Sequence, residues 1–261
     1  MAGKGFDLNG KVALVTGGNG GIGLGMAEGL AQAGCDLVIW GGNPDKNAAA
    51  EAKLKAHGHR VLVQKVDVSD EAQVEAGFTA ALKTMGRIDG CFANAGVSQK
   101  RAAFHELSTA EWRRVLSVNL DGAFFTLRAA ARHMVERAKD GDKAGGRLIG
   151  MASTAGVHGA ARAQSYAASK GAMLSMIRAL AVEMARYGVT ANSILPGWIE
   201  TEMTAAGVAD PKFSGNVLPR IPVRRWGQGS DFAGIATYLM SDTSSYHTGD
   251  SFVIDGAYTI F

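Results

Sequence analysis

The stretch "VALVTGGNGGIGLGMAEGL", residues 12–30, decides the architecture: an apolar, β-branched run meets a cluster of glycines, and the glycines lead into an amphipathic segment. A strand that stops at a glycine-rich turn and resumes as a helix opens a β-α-β unit. Glycines let the backbone approach a pyrophosphate, and the helix N-terminus adds free N–H groups and partial positive charge. Gly18, Gly20 and Gly23 fit G-x-G-x-x-G, while Gly17, Gly21 and Gly23 fit T-G-x-x-x-G-x-G; Asn19 and Ile22 fall inside the overlap. The alternative, a turn without a ligand, is disfavoured by the strand before it and the helix after it.

Beyond this stretch, short β-rich runs alternate with longer helical ones. The runs at 11–16, 36–40, 60–68, 87–94, 147–153, 189–195 and 251–255 read as about seven strands. Strands this continuously apolar, separated by helices, predict an α/β fold with a parallel, doubly wound sheet covered on both faces. No repeat or Pro/Ser-rich linker interrupts the 261 residues, so one domain, 1–261, is expected. Residues 138–146 read as a surface loop. Residues 197–229 carry Pro211, Pro219 and Pro222 and break the rhythm. Ligands of open α/β sheets sit beyond the carboxyl ends of the strands, so this excursion is the expected substrate lid.

Composition narrows the function. A net charge of +3 with acids interspersed among the bases leaves no nucleic-acid footprint. No run reaches membrane-spanning length and the N-terminus has no signal-peptide core, which predicts a soluble, cytoplasmic protein. The only cysteines, Cys35 and Cys91, lie in apolar strands and suit buried free thiols. Six histidines without ligand spacing predict no metal.

Tyr166 and Lys170 stand four residues apart in "SYAASKGAM". On a helix they share a face, about 5–6 Å apart at Cβ. An ammonium beside a phenol should lower its pKa toward neutrality, where it can exchange a proton with a substrate oxygen. A lone pair of this kind is ordinarily a solvated helix face.

Other motifs change that reading. With "TGGNGGIG" at 16–23, "NAG" at 94–96, Asn119, Ser153 thirteen residues before the tyrosine and "PG" at 196–197, the chain resembles the short-chain dehydrogenase/reductase family over nearly its whole length. The resemblance implies a Rossmann-type fold and hydride transfer between a nicotinamide dinucleotide and a small carbonyl or secondary alcohol. Catalysis would fall to Asn119, Ser153, Tyr166 and Lys170: Tyr166 as acid or base, Ser153 steadying the substrate oxygen, Lys170 holding ribose hydroxyls, Asn119 anchoring a proton-carrying water. The cofactor would contact Gly17, Asn19, Gly20, Gly21, Ile22, Gly23, Asp67, Val68, Asn94, Ala95, Gly96, Tyr166, Lys170, Pro196, Gly197, Ile199 and Thr201. Ala93 stands where the family usually has a further asparagine. Val97, Ser153, His158, Trp198 and Met203 would line the substrate pocket, with a structural role open for His158, Trp198 and Met203. The family also implies a homotetramer paired through helices at about 110–138 and 165–187.

The usual cofactor selectors are missing. NAD-preferring relatives carry an acid at the position of Gly41, and NADP-preferring ones often an arginine at that of Gly42. Losing the acid removes repulsion and opens space for a 2′-phosphate, and losing the arginine removes a reward. Asn43 as an N-cap, Pro44 and Lys46 could still offer an anion a helix start. The balance leans toward NADP(H), with NAD(H) also accepted. The substrate is open among 3-oxoacyl, sugar-acid and other small ketones. Two rivals remain, a non-catalytic NAD(P)-sensing regulator and a reductase of C=N or C=C bonds.

Overall fold

The computed structural model describes residues 4–142 and 145–261. Its strands are β1 (Val12–Thr16), β2 (Asp36–Trp40), β3 (Val61–Gln64), β4 (Gly90–Ala93), β5 (Gly146–Met151), β6 (Val189–Pro196) and β7 (Ser251–Ile254). They form one sheet in the order β3-β2-β1-β4-β5-β6-β7, every neighbouring pair parallel. After β3 the chain crosses back to the far side of β1, so strand order reverses between β1 and β4. A crevice opens there at the carboxyl ends, the place where such sheets bind ligands.

The apolar strands read as continuous runs because both faces are covered. Alternate residues separate onto the two faces. Val12, Leu14, Val38, Trp40, Cys91 and Leu148 join one core with residues of α3 (Glu71–Met85), α5 (Gly122–Lys139) and α6 (Gln164–Met184). Ala13, Val15, Leu37, Ile39, Phe92 and Ile149 join the other, beneath α1 (Gly21–Gln32) and α9 (Ala233–Met240). Each fully buried Leu, Ile or Phe stabilises the fold by about 1.5–3 kcal/mol.

Helix boundaries follow local chemistry. Asn43 caps α2 (Pro44–Lys55) by accepting from the Asp45 and Lys46 N–H groups, with Pro44 at the first helical position. Asp70 caps α3 in the same way, and Gly86 ends it at φ +84°.

Several boundaries differ from expectation. β3 ends at Gln64, so Asp67 and Val68 lie in the turn before α3 rather than closing a strand. The run at 87–94 is strand only over Gly90–Ala93. The helical stretch from residue 109 is α4 (Thr109–Leu116), a π-helical turn (Ser117–Asp121) and α5. In the predicted loop at 138–146, α5 extends to Lys139, β5 begins at Gly146, and residues 143 and 144 lie outside the described residues. Residues 197–229 hold two short helices, α7 (Ala205–Ala209) and α8 (Pro211–Val217).

Cys35 and Cys91 are buried free thiols. Burial pushes both upward, Cys91 to about 12, which keeps them protonated. Among the described residues no helix is long and apolar enough to cross a membrane.

Candidate active site

The glycine loop joins β1 to α1 in the crevice. Gly17 and Gly21 adopt φ of +63° and +52°, which L side chains rarely reach. A Cβ on Gly23 would stand 2.3 Å from the Gly17 carbonyl oxygen and 2.5 Å from Asn94 Nδ2, so helix and loop meet only through glycine. Nothing lies within 4 Å of a Cβ built on Gly20, whose backbone faces open space at the helix start. Ile22 instead packs toward the core beneath α1.

Asn94 ties the crevice together. Its Nδ2 donates to the Thr16 carbonyl at 2.8 Å, and the Asn94 and Ala95 N–H groups donate to Thr16 Oγ1 at 3.0 and 2.9 Å. The ends of β1 and β4 are thereby locked side by side, and Gly96 follows without a side chain. A Cβ on Gly96 would crowd Asn119 Oδ1 at 3.2 Å and stand 3.6 Å from Lys170 Nζ, so the loop passes close over both side chains.

Tyr166 and Lys170 lie on α6, as their spacing predicts. Lys170 is buried and donates from Nζ to the Met151 carbonyl at 2.6 Å, at the end of β5. Ser153 follows β5 as the N-cap of a 3-10 turn, where its Oγ accepts from the Ala155 N–H at 3.2 Å. Burial pushes the Tyr166 phenol above its ordinary range, and a side-chain hydrogen bond with Ser153 opposes the rise. Lys170 Nζ is 5.7 Å from the Tyr166 ring centroid, and burial pulls the ammonium down to about 8. Desolvation governs both groups in this geometry, so the phenol moves up rather than toward neutrality, and the opposing hydrogen bond comes from Ser153.

Asn119 lies in the π-helical turn, a local widening of the kind found at functional sites. Its Oδ1 accepts from the Val97 N–H at 2.8 Å, and its Nδ2 donates to the Val97 carbonyl at 3.0 Å and Ser169 Oγ at 3.2 Å. Ser169 Oγ in turn donates to the Tyr166 carbonyl at 2.7 Å. Asn119 thus fastens the β4 loop to the tyrosine-bearing helix.

Gln99, which motif reasoning missed, adds a second tie. Buried, it accepts at Oε1 from the Ser165 N–H and Oγ at 2.8 and 2.7 Å, immediately before Tyr166. No spacing rule distinguishes it from any loop glutamine.

Other predicted contacts are spread along the crevice rim. Asp67 is exposed and accepts from the Ser69 N–H and Oγ at 2.9 and 2.7 Å, while Val68 is buried against Gly122. Pro196 ends β6, and the Gly197 N–H donates to Ile254 O at 3.0 Å. Ile199 is buried, and Thr201 packs near Gly21, its Cγ2 3.1 Å from where a Cβ would stand. Trp198 meets Phe213 of α8 edge-on at 5.0 Å, whereas Met203 and His158 are exposed.

At the selector position one expectation fails. A Cβ on Gly41 would fall 2.2 Å from Asn19 Nδ2 and 2.3 Å from Asn47 Oδ1. Those two amides are hydrogen-bonded at 2.7 Å, and Asn47 Nδ2 also donates to the Gly41 carbonyl at 3.0 Å. Gly41 therefore opens no space; two side chains have already filled it. Gly42 does, with nothing within 4 Å.

These features fit a dinucleotide: an open backbone at Gly20, enforced glycines at 17, 21 and 23, and a buried lysine at the end of β5 across the crevice. Comparison with known proteins agrees. Residues 17–259 match the family described as Enoyl-(Acyl carrier protein) reductase. The chain is 35% identical to the gluconate 5-dehydrogenase of Gluconobacter oxydans (strain 621H), covering 98% of this chain and 97% of the relative. The chain belongs to the short-chain dehydrogenase/reductase family. It is 36% identical to the 2-dehydro-3-deoxy-D-gluconate 5-dehydrogenase of Escherichia coli (strain K12), covering 97% of each chain. The crystal structure of a gluconate 5-dehydrogenase from Burkholderia cenocepacia J2315, in complex with NADP and tartrate, superposes with a TM-score of 0.91. Identity there is 35%, over 98% of each chain. As a short-chain dehydrogenase/reductase, this protein is an NAD(P)-dependent oxidoreductase acting on CH–OH and carbonyl groups.

Proposed function

We propose that this enzyme interconverts a ketone and a secondary alcohol on a small sugar acid, with Ser153, Tyr166, Lys170 and Asn119 as its catalytic set. The observation that carries the catalytic reading is the convergence of the Ser153 and Tyr166 hydroxyls at the carboxyl end of β5, beside buried Lys170. The nicotinamide cofactor, when bound, supplies or accepts the hydride. In reduction the Tyr166 hydroxyl gives its proton to the substrate oxygen; in oxidation the deprotonated tyrosine takes it back. Ser153 donates to the same oxygen and steadies developing charge. Lys170, its Nζ held by Met151 O, presents its remaining N–H bonds toward the ribose hydroxyls. Asn119, through Val97 and Ser169, keeps the β4 loop and α6 in register around the reacting oxygen.

The sugar-acid assignment is supported by the relatives' names and by an unpaired cation at the mouth. Arg101, five residues after Gly96, stands over the Phe213 ring of α8 at 5.5 Å and has no ion pair among the described residues. A substrate carboxylate under α7 and α8 would meet it, which makes 197–229 the lid of a single catalytic domain spanning 1–261. Val97, His158, Trp198 and Met203 complete that pocket. NADP(H) is the preferred cofactor and NAD(H) is accepted. Exposed Phe124 on α5 and Val182 on α6 support pairing of those helices in a homotetramer, and two buried thiols suit the cytoplasm.

The test is steady-state turnover over a panel of keto and hydroxy acids and neutral ketones with NADH and NADPH, with product analysis to exclude C=N or C=C reduction. Tyr166→Phe should lower kcat by about 10²–10⁴-fold while leaving cofactor affinity within a few-fold. Activity retained within a few-fold would remove the acid/base assignment, and cofactor binding without any turnover by the wild type would favour a sensor.

A further inference from the structure

Gly42 leaves room for a 2′-phosphate but supplies no charge to it. The nearest cation along the chain is Lys46, in the first turn of α2, whose N–H is held by the Asn43 cap. Its ammonium is not idle. Lys46 Nζ is ion-paired with the carboxylate of Glu202, on the segment leaving β6. The other ion pairs of α2, Lys53–Glu28 and Lys55–Glu51, hold it to α1 and to itself. Lys46–Glu202 alone among these crosses from α2 to the chain beyond β6. Glu202 directly follows Thr201, whose methyl group packs near Gly21, so the pair straps the crevice beside the glycine loop. Both side chains are solvent-accessible, 41% and 80% exposed, so the pair is weak and exchangeable.

We propose that Lys46 discriminates a 2′-phosphorylated dinucleotide from an unphosphorylated one, and that Glu202 competes with the phosphate for it. This rests on the NAD(P) reading of the same crevice. A phosphate carries more charge than a carboxylate and more acceptor oxygens, so it takes the ammonium from Glu202. Ribose hydroxyls carry no charge and leave the strap closed. NADPH binding thus frees the segment after β6 from α2, whereas NADH binding does not, and the missing arginine is replaced from one helical turn further on.

Isothermal titration of the intact protein with NADPH and with NADH, without substrate, tests this. Lys46→Met should weaken NADPH about tenfold, as for loss of a hydrogen bond to a charged group, and leave NADH within twofold. Glu202→Gln should tighten NADPH about fivefold and leave NADH within twofold. An unchanged NADPH/NADH affinity ratio in either variant overturns the proposal. Failure of the wild type to bind either dinucleotide would instead overturn the cofactor reading itself. Both positions are on the surface, and thermal melting of each variant confirms folding before titration.

Discussion

The Asn19–Asn47 contact makes Gly41 a structural position, and a pair of substitutions one residue apart isolates that effect. Gly41→Asp places a Cβ 2.2 Å from Asn19 Nδ2 and 2.3 Å from Asn47 Oδ1, closer than real Cβ contacts come. The amides must separate. That forfeits one hydrogen bond, net about 0.5–1.5 kcal/mol, and strands buried polar atoms of Asn47 at about 1–3 kcal/mol. The sum is roughly 2–4 kcal/mol, or about 5–10 °C in melting temperature for a chain of this size. Gly42→Asp introduces the same charge into open space and should stay within about 0.5 kcal/mol. Differential scanning calorimetry of both variants, without dinucleotide and at one protein concentration, reads the difference. Asn47→Ala combined with Gly41→Asp should recover part of the loss by vacating the space. Melting temperatures within 2 °C of each other for the two aspartate variants would refute the packing argument.

Lys170 is held near 8 against an ordinary 10.5, so its burial cost is complete below pH 8 and relieved as pH rises toward 10.5, where the unfolded chain binds more protons. In a Tyr166→Phe background, urea denaturation should show the Lys170 form gaining about 3 kcal/mol on Lys170→Met between pH 7.5 and 10.5; parallel pH profiles would exclude the shift. Arg101→Met should raise KM for a carboxylate-bearing substrate about tenfold while leaving a neutral ketone unaffected, and equal effects on both would remove Arg101 from substrate recognition.

Features governed by short-range rules were legible in the sequence. Near-continuous apolar strands announced a sheet covered on both sides, and the Asn43-Pro44 cap announced the start of α2. The i,i+4 spacing of Tyr166 and Lys170 put both on α6. What escaped was set by partners far along the chain. Asn47 reads as an ordinary polar residue of α2 until β2 brings Gly41 against it and the glycine loop delivers Asn19. Gln99 acquires its role only when the β4 loop folds onto Ser165. The widening at Asn119 is equally hidden, because Ser117–Asp121 continues a helical pattern and the departure is imposed by bonds to Val97 and Ser169. The upward shift of Tyr166 escaped for a related reason: helical spacing fixes which face two groups share, while their titration depends on desolvation by everything packed around them.

That desolvation has a mechanistic consequence. Burial moves the phenol up and the ammonium down, so the resting site holds Tyr166 protonated, the form that gives a proton to a carbonyl oxygen, over the whole range below the ordinary phenol pKa of 10. Alcohol oxidation needs the other form, and two groups of this chain favour it: the hydrogen bond from Ser153 and the positive charge of Lys170. The charge is present only below about pH 8, where Lys170 keeps its proton. Raising the pH therefore helps remove the tyrosine proton while discharging the cation that would stabilise what remains. Lys170 Nζ lies 5.7 Å from the Tyr166 ring centroid, close enough for a charge on one group to bear on the other. A pH profile of oxidation that rises without a break through pH 8 would mean that Lys170 contributes position alone, whereas a break that disappears in Lys170→Arg, whose charge persists, would assign it to loss of the ammonium.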